Sequence, residues 1–309
     1  MANRIYLRWA GRLLLWLLLP LYPAAGLGTE LPVVASIFPV ADLVRQVGGE
    51  QVMVTVLMPA GASPHTFEPK PSLVRKIAAA RIFFMVGAGL EFWARDFIRA
   101  SAAQIQAVKL SAGMPLIGLG AHAGEADPGH RASAEGQDQF ANPHVWLDPL
   151  LAIEMVRRIE SALQAADPAA AKIYAARAQN FIGALERLHQ EIQSAVSRFA
   201  RKQYVAFHPA WDYFARRYGL EPVGIIETAP GSQPNPRQIG NIVAKIKSHG
   251  LHAIFAEPQL NPRIAEIIAR QADVRVLILD PLGGEDLPGR GTYIDLMYYN
   301  LNIFREALQ

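Results

Sequence analysis

Short apolar runs alternate with helical periodicity along most of the chain. Val33 to Phe38, Val52 to Met58, Ile82 to Val86 and Val145 to Leu147 read as strands in the first half, with helical patterns over Val40 to Val47, Ser72 to Ala79 and Leu90 to Arg99. Near-continuous apolar strands separated by helices predict parallel sheets covered on both faces, because parallel pairing needs a long crossover. The second half repeats the scheme, with Tyr204 to Phe207, Val223 to Glu227, Ala253 to Phe255 and Val274 to Leu279 as strands and helical stretches near Trp211, Ile239 and Ile264. A weak internal echo supports two similar units: Pro39 and Pro209 each end a strand, and Asp42 and Asp212 follow each at the same offset, as do Gly49 and Gly219.

Between the two units, Asp167-Pro168 offers a helix start, since proline is tolerated in the first helical turn, and alanine-rich periodic sequence then runs to about Phe199. Roughly 32 residues at 1.5 Å each would make a spine of about 48 Å. The predicted fold class is α/β, with two similar lobes, each a parallel sheet flanked by helices, joined by one long spine helix. The divisions read as a signal peptide over 1–28, an N-terminal lobe over 29–165, a linking helix over 166–200 and a C-terminal lobe over 201–309.

The start of the chain changes the picture of where it works. Arg4, Arg8 and Arg12 precede an apolar stretch from Leu13 to Leu21, and the small residues Ala24, Ala25 and Gly26 follow. This predicts a cleaved signal peptide, too short in its apolar part to span a bilayer, and hence a periplasmic protein with no membrane insertion after cleavage. Those three arginines account for the whole formal charge of +3, so the remainder is neutral overall and carries no basic excess of the kind nucleic acid selects. There is no cysteine, so no disulfide framework is available. A monomer is expected.

Four candidate metal ligands stand beside apolar runs. His65 lies in a loop stiffened by Pro59, Pro64 and Pro69, His144 precedes Val145, His208 ends the run through Phe207, and Asp280 ends the run through Leu279. Each alone has an ordinary role as a loop histidine, a strand-entry residue or a turn-capping aspartate. Together they fall two per lobe, at strand ends that open parallel sheets direct toward a cleft. Three neutral imidazoles and one carboxylate fill the tetrahedral positions of zinc, and a filled shell suits binding rather than catalysis. Imidazoles with an ordinary pKa near 6.5 predict release of the ion below roughly pH 6. Glu257 follows a strand and is a candidate to hold one imidazole by its other nitrogen. His122 and His130, in a polar stretch from Gly118 to Asn142, are weak accessory candidates, while His189, His249 and His252 read as solvated or core-edge residues.

At these motifs the chain resembles the solute-binding subunits of metal-ion ABC transporters, cluster A-I, and within them the high-affinity zinc-uptake group. The matching segments are Ser63-Pro64-His65-Thr66-Phe67-Glu68-Pro69, Pro143-His144-Val145-Trp146-Leu147-Asp148-Pro149, Phe207-His208-Pro209-Ala210-Trp211, Phe255-Ala256-Glu257-Pro258-Gln259 and Leu279-Asp280-Pro281-Leu282-Gly283. The resemblance implies two α/β lobes, Zn2+ held between them, and delivery to an ABC transporter permease in the inner membrane. Manganese members typically carry glutamate at the third ligand, where this chain has His208, and imidazole nitrogens favour zinc over manganese. Two departures are the sparse histidines of the Gly118 to Asn142 loop and the missing second-lobe disulfide. A manganese or other divalent-metal binder is the alternative. A secreted zinc hydrolase is the rival from another class, but the H-E-x-x-H helix is absent and Glu68 is the sole acid near His65.

Overall fold

The computed structural model describes residues 30–68, 70–94, 98, 105–118, 141–227 and 231–309. The N-terminal half holds four parallel strands, β1 (Leu31–Ala35), β2 (Val52–Val56), β3 (Ile82–Met85) and β4 (Gln106–Lys109), in the order β2-β1-β3-β4. Register is set by Leu31 opposite Val52, Val33 opposite Ile82 and Ile82 opposite Gln106. The central β3 is Ile-Phe-Phe-Met, buried throughout, as expected of a parallel strand with helices on both faces. Helices α1 (Phe38–Gly48) and α2 (Pro71–Ala79) make the crossovers, each with a proline in its first turn.

Two further helices connect the halves, α3 (Pro149–Ala166) and α4 (Ala171–Ser197). The predicted linking helix starts slightly later than read, because a short 3-10 turn fills Pro168–Ala170 after Asp167, and α4 proper has 27 residues, about 40 Å of rise. Its buried stripe, Tyr174, Ala178, Phe181, Leu185, Leu188 and Ile192, recurs every three or four residues and packs on α3 and α1. Arg177 on α4 donates to the carbonyls of Arg45 and Gln46, tying the spine to the end of α1.

The C-terminal half holds two parallel pairs, β5 (Gln203–Ala206) with β6 (Glu221–Ile225) and β7 (Ala253–Ala256) with β8 (Arg275–Ile278), and β5 runs close beside β7. Helices α5 (Asp212–Tyr218), α6 (Pro236–Ser248) and α7 (Arg263–Ala272) cover them, and α8 (Tyr293–Leu308) closes the chain. The spine α4 also touches α5 and α8, so one rigid element contacts both halves.

One predicted strand is corrected. Val145–Leu147 is a 3-10 turn whose three residues are fully buried. Its apolar character reports burial, not strand pairing, and the flanking Pro143 and Pro149 lack the N–H groups a ladder uses. The predicted helix over Leu90 to Arg99 falls partly, and the signal peptide wholly, outside the described residues.

Candidate metal centre

Local sequence explains why each imidazole is where it is. His65 sits in the loop between β2 and α2, His208 follows β5 directly and caps a 3-10 turn over Pro209–Trp211, and His144 caps the turn over Val145–Leu147. The loop and His208 lie at the carboxyl ends of parallel strands, where crossovers leave a crevice. There the three rings meet. His65 Nε2 is 3.2 Å from His144 Nε2, and His208 Nε2 is also 3.2 Å from His144 Nε2. One ligand atom from each of the three lies within 4.8 Å of the others.

The opposite ring nitrogens are held by acceptors. His208 Nδ1 is 2.5 Å from Glu257 Oε1, and His144 Nδ1 is 2.7 Å from Asn142 Oδ1, which also accepts from the His144 backbone N–H at 3.0 Å. Asn142 is itself oriented, because its Nδ2 donates to Pro209 O and to Asp212 Oδ2. With Nδ1 protonated to satisfy these acceptors, Nε2 of both His144 and His208 presents a bare lone pair to the other. Two lone pairs 3.2 Å apart repel unless a cation lies between them. Nitrogens about 2.05 Å from a tetrahedral zinc stand about 3.3 Å apart, so the two 3.2 Å spacings about His144 match those of neighbouring ligands in a coordination shell. The space between the rings admits about one water-sized body, which suits an ion and excludes an organic solute.

Burial tunes these imidazoles. Desolvation, helped by repulsion from His208, pushes His65 down to about 3, and the same causes hold His144 well below the ordinary histidine range. This changes the pH expectation, since protons compete with metal for these two nitrogens only well below pH 6. The sign for the metal-free protein follows: the unfolded chain protonates near 6.5 while the folded one resists, so stability falls as pH drops through 6.5 toward about 3. In chelator, the urea midpoint of the wild type is expected to fall more between pH 7 and pH 5 than that of His65→Gln. Equal losses would mean that His65 is not buried neutral.

Asp280 is placed differently. Its side chain is fully buried, Oδ1 accepts from Gln259 Nε2 at 2.9 Å and from Leu282 and Gly283 N–H at 3.0 Å each, and Oδ2 pairs with Arg290 at 2.9 Å. The structure brings together His65, His144 and His208, with Glu257 behind His208, and does not bring Asp280 into that group. Glu68 is exposed. His122 and His130 lie outside the described residues. Sequence reasoning missed Asn142 and Trp146. The Trp146 ring lies tilted against His144 with centroids 5.1 Å apart, and its Nε1 donates to Pro281 O at 2.8 Å, tying the His144 turn to the segment after β8. The signal for Asn142 was its spacing, since an asparagine two residues before a turn residue commonly accepts from that residue's N–H.

The family model described as ZnuA, zinc-uptake complex component A periplasmic, matches residues 33–307. The chain belongs to this family. Members of the ZnuA family are metal-binding solute-binding proteins of ABC importers. The zinc-binding protein AdcA of Streptococcus pyogenes is 30% identical over 286 residues, covering 89% of this chain and 56% of AdcA, so the chain spans about half the length of that relative. The manganese-binding lipoprotein MntA of Halalkalibacterium halodurans is 29% identical over 300 residues, covering 92% of this chain and 94% of MntA. A crystal structure of ZnuA superposes with a TM-score of 0.80 at 26% identity, covering 91% of this chain and 100% of that one. The two-lobed α/β fold read from the sequence is that of the ZnuA family.

Proposed function

We propose that this chain captures zinc in the periplasm, holds it between its two halves on His65, His144 and His208, and delivers it to the inner-membrane permease of an ABC importer. The observation that carries the reading is the convergence of the three imidazoles, with His144 Nε2 at 3.2 Å from the Nε2 of each of the other two and with Nδ1 of His144 and His208 committed to acceptors. An all-imidazole set favours zinc over manganese, which prefers oxygen donors. Asp280, read from the sequence as the fourth ligand, would have to leave Arg290 to bind metal directly. The protein acts as a carrier and not as an enzyme, a reading supported by its membership of a family of metal-binding solute-binding proteins and by the commitment of the Glu257 carboxylate to His208. The lobe divisions at 29–165 and 201–309 and the cleaved signal over 1–28 belong to the same reading.

Elemental analysis of protein purified without chelator, followed by competition with a chelator of known affinity, tests it. One equivalent of zinc held more tightly than manganese is expected. The similarity to MntA over nearly the whole of both chains favours manganese as the second reading, and a preference for manganese in that competition would establish it. Glu257→Gln is expected to weaken zinc by about tenfold to a hundredfold, because the carboxylate that orients His208 and raises its basicity is replaced by a neutral amide. Unchanged affinity would reduce Glu257 to a structural residue.

A further inference from the structure

A second cavity lies between α1, the spine α4 and the start of α8. Its volume is about 320 Å³, and it shares no lining residue with the space between the imidazoles. Two charged groups in it lack partners of opposite sign. Asp42 is only 5% exposed, and its carboxylate accepts from the Tyr293 backbone N–H at 2.8 Å and from Gln46 Nε2 at 3.3 Å, with no cation in ion-pair contact among the described residues. The neighbouring Arg45 is taken by Glu285. A buried carboxylate without a counter-charge is costly, and burial pushes the Asp42 carboxyl upward. Arg177 borders the same cavity from an exposed position. Its Nε and Nη2 donate to the carbonyls of Gln46 and Arg45, and its guanidinium lies so close over Gly49 that a Cβ there would stand 2.7 Å from Cζ. The guanidinium is thereby held in place, yet no carboxylate pairs with it among the described residues.

Complementarity selects the class of ligand. A simple cation would be repelled by Arg177 and a simple anion by Asp42, while a metal ion would find one carboxylate and no imidazole. A molecule that carries both charges meets both needs. We propose that this cavity binds a small zwitterion, a free aliphatic α-amino acid, with its ammonium on the Asp42 carboxylate, its carboxylate on Arg177 and its side chain against the apolar lining of Phe181, Ala184 and Ile294. The carboxylate–guanidinium contact is charge-assisted, and the volume lies at the small end of the range for small-molecule sites, about 300 to 1,000 Å³. The site is separate from the zinc reading above and does not depend on it.

L-Valine is the probe, titrated by calorimetry into the full chain as purified. Two analogues accompany it, N-acetyl-L-valine, which lacks the ammonium, and L-valinamide, which lacks the carboxylate. Saturable binding of L-valine with a Kd of about 1 mM or tighter is expected, and each analogue is expected to bind at least about tenfold more weakly. Asp42→Asn keeps an oxygen acceptor for the Tyr293 N–H and removes the charge, so it is expected to lose about tenfold or more in affinity for L-valine. Ala184→Leu leaves both charges and the Tyr293 contact in place but fills part of the cavity, and a loss of similar size is expected. It decides the question should Asp42→Asn fail to melt cooperatively. No saturable binding of L-valine, analogues that bind as well as L-valine, or undiminished binding in either folded variant would each overturn the proposal.

Discussion

His144→Ala is expected to lose zinc affinity by more than about a hundredfold, roughly 2.7 kcal/mol. The imidazole is the middle of the three, with its Nε2 at 3.2 Å from both neighbours, so its loss removes the donor that the other two share as a neighbour. Residues that merely orient a ligand already cost ten- to a hundredfold when changed, and a ligand must cost more. The deletion also leaves a void beside Trp146. Competition against a chelator of known affinity measures the loss, and a change below about tenfold would remove His144 from the shell. His208→Ala is expected to behave alike and in addition to strand the Glu257 carboxylate, only 3% exposed, without its 2.5 Å partner.

Zinc is expected to raise the stability of the protein by about 4 kcal/mol at a thousandfold excess over Kd, because an ion that binds only the native state adds RT ln(1 + [L]/Kd). For a domain of this size that is a melting shift on the order of 10 °C. The ligands come from both halves, His65 and His144 from the first and His208 from the second, so opening either half forfeits the whole of the binding energy. Calorimetry with zinc and then with excess chelator checks this. A melting temperature that does not move with either would mean that the three imidazoles hold no ion.

Much of this site could be read along the chain because its histidines sit where short-range signals are strong. His65 lies among prolines after a strand, and His208 stands between an apolar run and Pro209, so local chemistry alone placed both at strand ends. Asp280 shows the limit: the sequence displays an aspartate after an apolar run, whereas its role is decided by Arg290, ten residues on, and by Gln259 from another loop. The strand β4 escaped notice because three of its four residues are exposed and carry no apolar pattern. The helix α3 was legible yet unread. Asp148 caps it by accepting from Leu150 N–H at 2.9 Å and Pro149 opens it, a standard start signal hidden behind the apolar run misread as a strand. The slightly later start of the spine has a similar cause, since alanine-rich periodicity already holds through Pro168–Ala170 although the backbone there tightens to a 3-10 turn.

The buried carboxylate of Asp42 on α1 accepts from the backbone N–H of Tyr293 at 2.8 Å, and the Tyr293 hydroxyl donates to Trp146 O at 2.6 Å. Two points of the N-terminal half are thus completed by the first residue of the last, 16-residue helix. The buried carboxylate on α1 therefore gains this main-chain donor only when the end of the chain has docked. Until its final segment arrives, Asp42 faces an apolar setting that already pushes its carboxyl upward, without the main-chain donor that offsets part of that cost. Closure over so long a stretch of chain carries a loop-entropy cost, so this contact is expected to be among the last to form.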